Sequence, residues 1–141
     1  MATFNKFNAF VEYLAEGKMN LESDALKIVL TNTAPTAADS VLADLAEISG
    51  GNGYTAGGVA ATVSSSGQTS GTYKLVLADV TITASGGSIG PFRYFVLVDT
   101  TPSSPEKPLV GWWDYGAAIT LADGESVTVD FSATSGALQI A

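Results

Sequence analysis

Read as apolar and polar positions, the chain has a short helical opening and a long β-patterned remainder. In "MATFNKFNAFVEYLAEGK", Phe4, Phe7, Val11 and Leu14 recur at i, i+3, i+7 and i+10, with Phe10 beside them. Asn5, Asn8, Glu12 and Glu16 fall mostly elsewhere around the axis. The spacing predicts an amphipathic α-helix within residues 1–17, capped by Thr3 and ended by Gly17. Its phenylalanines are expected to pack on the helix's own domain, with docking on a neighbouring subunit as the alternative.

Residues 25–141 read as a β-rich body. "ALKIVLT" (Ala25–Thr31) is a strand of branched residues stopped by "NTAP". Thr36 and Asp39 stand at capping-box spacing and predict a second short helix, with Val41, Leu45 and Ile48 on one face. "VAATVSS" predicts a weak strand, "SSSGQTSG" a flexible loop, and "TYKLVLADVTITA" (Thr72–Ala84) one long strand. "FRYFVLVD" (Phe92–Asp99) is apolar on both faces, as a central strand should be. Three prolines make "TTPSSPEKP" (Thr100–Pro108) a surface connection. "AITLADGESVTVDF" predicts a hairpin turning at Asp123-Gly124, and "GALQIA" a last short strand. The sum is mainly β: a β-sandwich or rolled β-barrel of about seven strands with an N-terminal α-helix, forming one domain over residues 1–141.

Composition narrows the chemistry. Hydrophobic residues make up 46% of the chain and charged ones 14%, too apolar for disorder and poor in charge for an ordinary enzyme. Net charge is −8 and the six basic residues are scattered, so no patch exists to displace counterions from phosphates. Neither a nucleic acid nor an anionic membrane is an expected partner. With no cysteine and no histidine, disulfides, thiolate metal sites and the usual neutral-pH general base are excluded. Polar residues interrupt the apolar opening, against a signal peptide, and no run approaches the roughly 20 apolar residues of a membrane span. Folding and assembly in the cytoplasm are the expectation.

Two stretches stand out. "SGGNGYTAGG" sets five glycines, Gly50–Gly58, around Tyr54. It lacks the lysine of a phosphate loop and does not open a helix after a strand. A surface loop using left-handed dihedrals is the reading, with Tyr54 as a candidate contact anchor. "GWWDYG" concentrates Trp112, Trp113, Asp114 and Tyr115. Aromatic planes beside an acid can grip sugars, yet strand neighbours point to opposite faces, so one inward ring and one at an edge or interface is the preferred arrangement. The acid pairs Asp123 with Glu125 and Glu22 with Asp24 read as solvated charges, and no calcium-loop or serine-elbow pattern is present. No catalytic, cofactor or metal residue is nominated. The candidate contact residues are Phe4, Phe7, Tyr54, Trp112, Trp113 and Tyr115.

Together, "LKIVLTNTAP", "VLADLAEISGGNGYTAGG", "SGGSIGPFRYFVLVD", "WWDYG" and "LADGESVTVDFSATSGAL" resemble a family of small tailed-bacteriophage virion proteins, from about Leu21 to the end of the chain. The resemblance implies a β-rich fold, a structural role in the virion, and no catalytic residues. A capsid decoration, or cement, protein bridging capsomers of the major capsid protein is the leading expectation. A homotrimer would suit local three-fold positions. The alternative is a tail- or head-fibre-associated module gripping host glycans through Trp112, Trp113 and Tyr115.

Overall fold

The computed structural model describes residues 3–141. Along the chain run β1 (Asn5–Lys6), α1 (Asn8–Ala15), β2 (Leu26–Thr31), β3 (Val59–Ala61), β4 (Val63–Thr69), β5 (Thr72–Leu77), β6 (Val80–Thr83), β7 (Ile89–Asp99), β8 (Leu109–Leu121), β9 (Ser126–Val129) and β10 (Leu138–Ile140). The protein is mainly β with one N-terminal helix, as its patterning requires, but with ten strands among the described residues rather than seven.

All strand pairs are antiparallel. One sheet has the order β1-β8-β7-β2-β3; β10-β5-β4 and β6-β9 form two smaller sheets. The three share one apolar core and do not close into a barrel. β7 lies at the centre of the large sheet, where Val96, Leu97 and Val98 are fully buried, and Ile28, Val29 and Leu30 of neighbouring β2 match them. The doubly apolar "FRYFVLVD" thus occupies the central position its composition demands.

The N-terminal expectation needs correction. Thr3 does not cap a helix, because residues 5 and 6 are extended and pair with Gly111 and Trp112 of β8. The helix starts only at Asn8, its preceding residue Phe7 being extended. Strand pairing lets Phe4 and Phe7 pack against different tryptophans, Trp113 and Trp112 respectively. A helix would have stacked both phenylalanines on one face. Within α1, Phe10 is buried with Tyr13 and Leu14 packed at i+3 and i+4, while Val11 is turned out to solvent. The helix ends as expected at Gly17, φ +72°: Lys18 N–H reaches Tyr13 O and Gly17 N–H reaches Leu14 O, a Schellman closure.

Four further expectations fail, for related reasons. Thr36 and Asp39 bond to each other, but only a single 3-10 turn follows, at Leu42–Asp44. "SSSGQTSG" is no loose loop: most of it is β4, paired with β5 and turning at Ser70-Gly71, both with positive φ. The long strand Thr72–Ala84 breaks at Ala78–Asp79, where Ala78 N–H bonds Thr62 O and Asp79 Oδ1 takes Phe131 N–H. Asp123-Gly124 does form a turn, with Glu125 N–H on Ala122 O, yet its two arms separate: β8 pairs with β7 and β9 pairs with β6. In the last case the chain passes from one sheet to another without losing its inside–outside alternation, whereas at Ala78–Asp79 two successive exposed residues shift the buried set from Leu75 and Leu77 to Val80 and Ile82. Alternation records which side faces the core, not which strand is the neighbour.

Candidate contact surfaces and the open mouth of the sandwich

The nominated residues have divergent fates. Phe7 is fully buried, its ring centroid 4.6 Å from that of half-buried Trp112. Trp113 is buried between half-buried Phe4, at 5.3 Å, and Phe131, at 5.6 Å, and its Nε1 has no acceptor. Tyr54 is 2% exposed and Tyr115 is 53% exposed. Phe7, Tyr54 and Trp113 are therefore core side chains and not surface anchors. Trp112 and Trp113 point to opposite faces of β8, as strand alternation dictates, so the three rings of "GWWDYG" share no exposed platform.

Tyr115 is open because β8 bulges beneath it. Between the pairs Tyr94↔Asp114 and Phe92↔Ile119, β7 contributes only Arg93, whereas β8 contributes Tyr115–Ala118. The excess residues loop outward, with Gly116 at φ +101°. Asp114 pins the excursion. Its carboxylate receives Arg93 Nε at 2.8 Å, Arg93 Nη2 at 3.1 Å and Gly116 N–H at 2.8 Å. The guanidinium first, and the Gly116 amide second, hold the Asp114 carboxyl below its ordinary range, while Asp114 raises Arg93 in return. This forked pair is the one ion pair among the described residues.

Beside the bulge the two layers part and leave a cleft of about 210 Å³. Phe95, Trp113 and Tyr115 of the large sheet line one side, and Val127 and Val129 of β9 the other, with Asp130 at the rim.

The connecting loops on this protein are pinned by hydrogen bonds. Leu42 N–H bonds Lys107 O at 2.9 Å and Leu109 N–H bonds Ser40 O at 3.0 Å, so residues 40–42 zip onto 107–109. Asp44 braces that corner by accepting the N–H groups of Ser40 and Val41, which lower its carboxyl from the ordinary value. In the glycine loop, Tyr54 hydroxyl donates to Glu47 Oε2 at 2.5 Å and accepts Leu30 N–H at 3.1 Å, and Glu47 also receives Gly57 N–H. Burial, then Glu47, pushes the Tyr54 hydroxyl far above its usual value. Gly53 and Gly58, both with positive φ, lie against the Thr83 and Ile28 carbonyls, where a Cβ would collide. The glycines let the loop lie flat on strands β6 and β2; they do not make it loose.

A further acid is set apart. Asp99, at the end of β7, is fully buried; one oxygen accepts Thr101 N–H and Oδ2 has no donor. Burial first, and the neighbouring Asp24 carboxyl second, push it up to about 8. Among the described residues no cluster of three or more acidic side chains suits a metal ion, and no helix is long and apolar enough to cross a membrane.

Local pattern missed two of these features. The bulge has a faint signal in "DYGAA", where small residues interrupt β8, whereas the Arg93–Asp114 pairing has none, since it joins residues 21 apart. Asp99 is legible in retrospect as the charge closing a fully apolar run. Comparison of the chain with protein-family models, with curated proteins and with solved structures gives no match.

Proposed function

We propose that the chain is a structural component of a bacteriophage-type particle, a decoration protein that binds the shell through preformed loops and performs no chemistry. The observation that carries this reading is the pinning of the loops. Segments 40–42 and 107–109 are joined backbone to backbone, and the glycine loop is latched by Tyr54 and Glu47. Loops that are rigid before binding lose little conformational entropy on contact, which suits permanent attachment. The low charge of the chain and its lack of histidine and cysteine agree with a role in contact. The sequence resemblance supplies the particle, the major capsid protein as partner, and trimeric assembly.

The test is cosedimentation of the purified protein with shells lacking it, together with its solution mass. Saturable binding by a trimer is expected. Removing the latch with Tyr54→Phe should weaken binding several-fold while the fold persists, because Leu30 N–H and Glu47 lose their common partner. Absence of saturable binding to any such shell overturns the reading. The fibre alternative now rests on exposed Tyr115 and on half-buried Trp112, and a glycan array with Tyr115→Ala and Trp112→Ala as controls decides it.

A further inference from the structure

The β6–β9 sheet is incomplete on one side. Its cross-strand pairs are Val80↔Val129 and Ile82↔Val127 on one face, Thr81↔Thr128 and Thr83↔Ser126 on the other. The polar face is closed by side-chain hydrogen bonds, Thr81 to Thr128 at 3.1 Å and Thr83 to Ser126 at 2.7 Å. The apolar face is unequally covered. Val80 and Ile82 of β6 are buried, while Val127 and Val129 of β9 are only half-buried. Among the described residues, strand β9 has backbone ladder hydrogen bonds to β6 alone, and its outer edge has no strand against it. The cleft walled by Phe95, Trp113 and Tyr115 opens beside the same two valines.

A free edge, two under-covered valines and an apolar cleft together describe the place of a missing third strand. We propose that β9 accepts an extended segment of another protein by strand addition, with alternate apolar side chains seated in the cleft. This rests on the reading of the chain as a protein that assembles with another. Charge selects the occupant. Asp114 is already matched by Arg93, but exposed Asp130 at the rim has no cationic partner among the described residues, and the chain carries −8. A basic-flanked segment is favoured over a second copy of this acidic chain.

The probe is a synthetic peptide, acetyl-Lys-Val-Thr-Val-Thr-Lys-amide, titrated into the isotopically labelled full chain. The alternate amides of Ser126–Asp130 that point away from β6 should gain at least tenfold protection from hydrogen exchange, with shifts at Tyr115. Replacing the second valine of the peptide with proline should abolish protection, and replacing both lysines with glutamate should weaken it several-fold. Asp130→Lys, a surface change, should reverse that charge preference. The inference is overturned if the lysine peptide leaves Ser126–Asp130 unprotected, or if the proline peptide acts equally well. Protection that rises with protein concentration alone places a second copy on the edge and overturns the choice of partner. Shell binding without peptide binding would sink this inference and leave the assembly reading standing.

Discussion

The centre of the large sheet and the β6–β9 pair are built from the same residue types and end in opposite conditions. On β7, Val96, Leu97 and Val98 have a strand on each side and are fully buried. On β9, Val127 and Val129 have one neighbouring strand and remain half-open. Apolar composition made both regions strands; the number of neighbours decided which was sealed. In this protein the sealed region carries stability and the open one is free to carry contact.

Substitutions can break or sharpen that contrast. Leu97→Ala in the sealed strand should cost about 2–5 kcal/mol and lower the urea midpoint markedly, since the site cannot collapse around the lost atoms. A loss below about 1 kcal/mol would mean that β7 is not the packed centre described here.

Asp99, closing the same strand, predicts a pH effect. Its folded value of about 8 stands above an unfolded value near 4, so folding takes up a proton between the two. The stability it contributes is fully present below pH ~4 and is lost as pH rises through 8, with a slope of at most about 1.4 kcal/mol per pH unit. Asp99→Asn should flatten this part of the profile in urea unfolding followed from pH 5 to 9. An unchanged slope would show that Asp99 does not titrate as described.

The smallest effect belongs to the open strand. Val129→Thr should cost under about 1 kcal/mol, because the residue is half-exposed and β-branched in either form. A cost like that of Leu97→Ala would erase the distinction between the regions.

How far the sequence disclosed this arrangement depends on how local the signal is. The central strand, the Gly17 helix stop, the Asp123-Gly124 turn and the last strand follow from neighbouring residues, and all are present. What failed was partner choice. "TYKLVLADVTITA" reads as one strand although it changes sheet at Ala78–Asp79, and "AITLADGESVTVDF" reads as a hairpin whose arms never pair. The contact residues fared similarly. Tyr54 sits among glycines and reads as exposed, and only the long-range bond to Leu30 and the carboxylate of Glu47 reveal it as a latch.

The small sheet joins residues far apart: the Thr83–Ser126 side-chain bond spans 43 positions. It cannot form until the whole stretch between has been made and threaded back, and such distant closures are slow. Newly synthesised chains will therefore pass through a stage in which Val80, Ile82, Val127 and Val129 lack cover, and crowding at that stage favours clumping over maturation. Yield on expression should consequently respond to temperature and synthesis rate more strongly than the stability of the finished molecule would suggest.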